Sequence, residues 1–135
     1  MSGQAGYSGK SLIQKLGVRE ADVLSVIDPP ADYASLTSPL PEGARRVEGL
    51  DRQAMITHLF VRDRAGLEAQ VEAVFADRPA GSMVWISWPK KSSKTFVDLT
   101  VDGVREMVLP RGWVDVKVCA VDADWSGLKF MRRRA

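Results

Sequence analysis

One cysteine, Cys119, and one histidine, His58, are all that the 135-residue chain has of either type. A lone cysteine forms no internal disulfide, and one Cys with one His falls short of any zinc site. The same scarcity leaves no nucleophile, base and orienting group at readable spacing, so no catalytic residue, metal or cofactor is assigned. Excess charge of one sign is also missing. Nineteen Lys and Arg stand against 17 Asp and Glu, for a net charge of +2. The molecule is no polycation, and nucleic-acid binding over a broad basic face is not expected. No apolar run approaches transmembrane length, and the opening MSGQAGYSGK lacks the apolar core of a signal peptide. A cytoplasmic protein without a membrane partner is the expectation. Internal repeats and low-complexity tracts are absent too. A single domain over residues 1–135 follows, with residues 1–7 small and polar apart from Tyr7, and mobile.

What is present is organised around MVWISWPKKSSK, residues 83–94. Met83, Val84, Trp85, Ile86 and Trp88 form an apolar run broken only by Ser87, as in a strand buried on both faces of a parallel sheet. Pro89 has no amide hydrogen for a central ladder and stops it. The other runs alternate in type. Ser8 or Ser11 caps a short helix bearing Leu12, Ile13 and Leu16, which Gly17 ends. Val23 to Ile27 reads as a first strand, residues 32–36 as a weak helix and residues 45–48 as a short strand. A firmer strand follows over residues 54–61. Asp63 then caps a helix bearing Leu67, Val71, Val74 and Phe75. After the central strand comes a helical face of Val101, Val104 and Val108. Trp113 to Asp122 is a long strand with Val114, Val116, Val118 and Ala120 on one face. Residues 123–127 turn the chain, and residues 128–133 return.

Strands alternating with helices specify a mainly parallel sheet with right-handed crossovers. Too few residues separate the last two strands for a crossover, so they are antiparallel. The expected fold is a three-layer, Rossmann-like α/β sheet with one antiparallel strand from a C-terminal hairpin.

In such sheets ligands gather at the carboxyl ends of the strands. Lys90, Lys91, Ser92, Ser93 and Lys94 stand there as an anion cradle, with a solvated lysine loop as the bland counterpart. Asp28, Asp63 and Asp122 each follow a strand and line the same edge, as ligand contacts or as helix caps and salt-bridge partners. Trp88 adjoins the loop and offers a stacking surface. Trp125, in the turn DADWSG, marks a ligand wall or folds back over the sheet. His58 and Cys119 read as packed strand residues, the thiol inert. Arg132, Arg133 and Arg134 read as a solubilising tail. The expected partner is an anionic small molecule or an acidic protein surface. The sequence is silent on oligomeric state.

GYSGKS is similar to the tail of a phosphate-binding loop. Gln4 stands where that motif needs its first glycine, however, and no strand precedes it. The closing strand–turn–strand resembles the C-terminal half of class I S-adenosylmethionine methyltransferases. That resemblance implies that the last strand inserts beside Val84 to Trp88, with Asp28 and Asp63 flanking a cofactor. The chain departs from the family after its first strand, where DPPADYASL has two prolines and no glycine. GYSGKSLIQKLG, THLFVRDR, SWPKKSSK and DVKVCAVDADWSGLKF together resemble a small bacterial family known only as a domain of unknown function. That resemblance implies a free-standing cytoplasmic domain and assigns no activity. Three functions are therefore carried forward. They are a non-catalytic anion-binding module, a divergent methyltransferase, and a nucleic-acid binder using Trp88, the lysines and the arginine tail.

Overall fold

The computed structural model describes residues 11–132, so the expected mobile start and Arg133 and Arg134 lie outside the described residues. The described residues begin with a one-turn helix, α1 (Leu12–Leu16), set by a capping box. Ser11 accepts from the Gln14 amide and Gln14 answers to the Ser11 amide, while Gly17 closes the helix at φ 85°. Strand β1 (Val23–Ile27) follows, then a short helix α2 (Tyr33–Leu36) and strand β2 (Arg45–Glu48). Strand β3 (Ile56–Phe60) leads into α3 (Arg64–Phe75). Strand β4 (Met83–Pro89) precedes α4 (Val101–Val108), and β5 (Trp113–Ala120) and β6 (Trp125–Arg132) close the chain.

Among the described residues six strands form one sheet, in the order β2-β1-β3-β4-β6-β5. β1 runs parallel to β2 and β3, and β3 runs parallel to β4. β6 is antiparallel to both of its neighbours, β4 and β5. The alternation of runs thus yields an α/β fold with a mixed sheet. β4 shows why its sequence is apolar without a break. Val84, Ile86 and Trp88 join a core with Leu67, Val71, Val74 and Val104 of α3 and α4. Trp85, pointing the other way, joins Leu12, Leu16, Leu24 and Tyr33. A strand covered on both faces has no polar side to display.

Two details depart from the sequence expectation. Val114, Val116, Val118 and Ala120 do not share one face, because the register of β5 on β6 shifts between Asp115 and Lys117. Such a bulge places an extra residue in one strand and resets the alternation. β5 is also an edge strand, and Val116 and Val118 stay about half exposed. The second departure is Trp125, which begins β6 instead of sitting in the turn. The Asp122 carboxylate accepts from the amides of Asp124 and Trp125, which tightens the turn so that pairing starts at Trp125 opposite Pro89.

A line of polar side chains runs through the core. His58 of β3 is fully buried, with Nδ1 2.9 Å from the Tyr33 hydroxyl and Nε2 2.7 Å from the Ser87 hydroxyl. With both ring nitrogens partnered, the imidazole stays neutral, and burial lowers its pKa to about 3. Burial likewise raises the Tyr33 hydroxyl above its ordinary range. Arg78 is buried as well, donating to the carbonyl of Ala54 and the hydroxyl of Thr57, so it ties the end of α3 to the start of β3.

Candidate functional site

The carboxyl ends of β1, β3 and β4 and the start of β6 meet along one edge. Parallel pairing of β1, β3 and β4 brings Asp28, Arg62 and Lys90 to that edge, and the antiparallel start of β6 adds Trp125.

Asp28 leaves β1 with φ 55°, a left-handed backbone that Asp adopts more readily than most residues with a side chain. Pro29 and Pro30 follow, and Tyr33 donates its amide to the Pro30 carbonyl to start α2. Beyond Asp28 lies a pocket of about 500 Å³ lined by Val26, Ile27, Asp28, the two prolines and Ala31 on one side, and by Glu48 and Gly49 on the other. It is open at the carboxyl ends of β1 and β2. Its lining includes two carboxylate residues and no cationic one.

The remaining candidates separate into those that stand free and those already engaged. Asp63 caps α3, its carboxylate accepting from the Gly66 amide at 2.8 Å. Asp122 is engaged by the two turn amides described above. Trp88 is only 4% exposed and packs into the α3–α4 core, so its ring has no open face for stacking. Lys90 is half-buried and tied down, its amide donating to the Asp124 carbonyl at 2.8 Å. Ser93 is half-buried, and its hydroxyl lies 2.9 Å from that of Thr95. Lys91, Ser92 and Lys94 are exposed. Among the described residues none of the three lysines forms an ion pair; the pairs present join Arg105 to Asp102 and Asp115.

Sequence reasoning missed two residues. Glu48 closes β2 and lines the pocket with Asp28. Its signal was legible, because Glu48 follows the first strand's turn by 20 residues, and an acid about 20 residues on is what a ribose-binding Rossmann strand carries. Arg62 had no such signal. It donates to the Asp28 carbonyl at 2.9 Å and its guanidinium lies 5.0 Å from the Trp125 ring centroid. Trp125 in turn meets Phe60 edge-to-face, with centroids 5.0 Å apart.

Cys119 is half-buried instead of fully enclosed. Burial raises its pKa, and Lys15, Lys117 and Lys129 pull the other way. Among the described residues no three His, Cys, Asp or Glu side chains assemble to hold a metal ion, and no helix is long and apolar enough to cross a membrane.

No family model matches the chain, and no curated protein does. Solved structures do match its fold. A SAM-dependent methyltransferase from Aquifex aeolicus superposes with a TM-score of 0.65 at 10% identity, over 89% of this chain and 87% of its own. A methyltransferase from Pyrococcus furiosus gives 0.61 at 13% identity, over 91% of this chain and 80% of its own. A possible exported protein from Bordetella parapertussis gives 0.64 at 9% identity, over 90% of this chain and 65% of that one. At such identities the likeness speaks for fold alone: the chain has the methyltransferase-like, Rossmann-like α/β topology.

Proposed function

We propose that the chain binds a cationic adenine nucleoside of the S-adenosylmethionine type at the ends of β1 and β2, as a divergent methyltransferase-like enzyme. In this reading the frame is a three-layer sheet in which β6 is the single reversed strand. The observation that carries it is the pocket between Asp28 and Glu48, on a fold whose solved likenesses include methyltransferases. The residues present suit that ligand better than a nucleotide. Pro29 and Pro30 have no amide hydrogen, so the turn cannot build the cradle of N–H groups that a pyrophosphate requires. Two carboxylate residues with no lining cation repel phosphate and attract an ammonium or sulfonium centre. Glu48 stands where a carboxylate accepts hydrogen bonds from ribose hydroxyls, and Asp28 faces the amino-acid end. When bound, the cofactor supplies an electrophilic methyl group. The chain supplies the walls, and the carboxyl ends of β3 and β4 supply the neighbouring surface for an acceptor.

The test is ligand choice by calorimetry. S-adenosylmethionine and S-adenosylhomocysteine bind, ATP does not, and Glu48→Gln weakens the first two about tenfold. Preference for ATP, or binding indifferent to Glu48, contradicts this reading.

A second reading is favoured by one observation, the absence of ion pairs at Lys90, Lys91 and Lys94 among the described residues. It is a non-catalytic module that takes an anionic small molecule or an acidic partner at this loop, with Ser92 and Ser93 as hydroxyl donors. Its mark is binding of an acidic ligand that Lys90→Ala and Lys91→Ala abolish while the fold persists.

A further inference from the structure

We infer that Arg62, seated on Trp125 with Lys90 at the end of the neighbouring strand, anchors an anionic group, phosphate or carboxylate, on a small ligand at the carboxyl ends of β3 and β4. The inference deepens the anion reading and does not depend on the nucleoside pocket.

Four observations converge. First, Arg62 is exposed yet held: one nitrogen donates to the Asp28 carbonyl at 2.9 Å and the guanidinium lies over the Trp125 ring at 5.0 Å. A guanidinium has five N–H donors in a planar fork, and here a single hydrogen bond to a neutral carbonyl is its whole described complement. The cation is therefore oriented but not neutralised, which lowers the ordering cost of binding an oxyanion by two N–H groups. Second, its platform is rigid. Trp125 is held by Phe60 edge-to-face, by Asp122 at its amide and by its pairing opposite Pro89. Third, Lys90 adjoins the same platform, because it follows Pro89 and its amide is fixed to the carbonyl of Asp124, the residue before Trp125. Fourth, no described carboxylate pairs with Arg62 or Lys90. Of the acids at this edge, Asp63 holds the Gly66 amide and Asp122 its turn, and Asp28 and Asp124 meet the two cationic residues through their backbone carbonyls.

A solvated surface arginine commonly has none of this support. The site is also small, one oriented guanidinium and one lysine held by its backbone on a chain of net charge +2. That suits one acidic group on a small molecule better than a phosphate backbone, which calls for a broad basic face. Because the guanidinium rests on an aromatic ring, simple aryl acids and aryl phosphates are the probes of choice.

The experiment is a titration of the full chain with phenyl phosphate and, separately, benzoate, at constant ionic strength set by chloride. It follows the Arg62 Nε–H and Trp125 Nε1–H resonances by NMR. The inference expects saturating shifts of both signals by at least one anion, and the tighter of the two names the acidic group. Arg62→Ala weakens that binding at least tenfold and Lys90→Ala severalfold, with the remaining spectrum unchanged, while Glu48→Gln leaves it intact. Linear, unsaturated shifts, or equal shifts produced by chloride alone, overturn it. So does undiminished binding in Arg62→Ala. An oligothymidylate that displaces the anions at far lower concentration, with steep salt dependence, overturns the small-ligand assignment in favour of a nucleic-acid surface. S-adenosylmethionine titrated into the same samples separates the two proposals, since its failure to bind leaves the anion result standing.

Discussion

His58 has no route to solvent and two hydrogen-bond partners, and this makes it a pH-sensitive part of the core. The unfolded chain takes up a proton on this ring near the ordinary pKa of about 6.5, whereas the folded chain resists protonation until about 3. The stabilisation is therefore fully present above about pH 6.5 and is lost as pH falls toward 3, by about 1 kcal/mol per pH unit. Urea midpoints between pH 7.5 and 5.5, above the bulk of carboxylate titration, should fall with pH, and His58→Gln should flatten that slope whatever it does to the absolute stability. Tyr33→Phe tests the same line from its other end. It removes one hydroxyl and leaves Nδ1 of His58 buried without its 2.9 Å partner. That should cost about 1–3 kcal/mol in equilibrium unfolding. Asp28 behaves oppositely. Its φ of 55° is one that glycine adopts freely, so Asp28→Gly should hold or raise the unfolding midpoint while removing a carboxylate from the pocket. A marked loss of stability would mean that the side chain holds the turn.

Elements show which parts of this structure can be read from local pattern. α3 was legible because Asp63, Leu67, Val71, Val74 and Phe75 carry both its cap and its buried face within one stretch. Asp63→Ala should accordingly cost about 1 kcal/mol of stability through the lost cap, with anion and nucleoside affinity unchanged. A binding defect without destabilisation would return Asp63 to the ligand site. The apolar run of β4 was legible for the same local reason. Trp125 was not, since its place depends on a turn closed by Asp122 and on contacts with Phe60 and Arg62 from β3 and its end. Trp88 misled because proximity to the lysine loop in sequence says nothing about facing. Strand alternation from Val84 and Ile86 already pointed it into the core. The bulge in β5 has no sequence mark at all, and it alone upset the expected alternation of the valines.

At the scale of the molecule, topology assembles a site from residues that are far apart in the chain. Asp28, Glu48, Arg62, Lys90 and Trp125 belong to different strand ends, and only the sheet order brings them to one edge. Two kinds of ground adjoin there: an acid-lined pocket over β1 and β2, and a cation-bearing strip over β3 and β4. A cationic nucleoside in the first and an acidic acceptor on the second would lie side by side, as group transfer requires. Cofactor binding depends on the pocket between Asp28 and Glu48. A thermal-shift titration of wild type and Glu48→Gln with S-adenosylmethionine and S-adenosylhomocysteine tests it most directly. Ligand at about a hundred times its dissociation constant should stabilise wild type by roughly 2.7 kcal/mol, and Glu48→Gln should need about ten times more for the same shift. No stabilisation of wild type by either compound at millimolar concentration would contradict the nucleoside pocket, leaving a Rossmann-like sheet whose cofactor position has been closed.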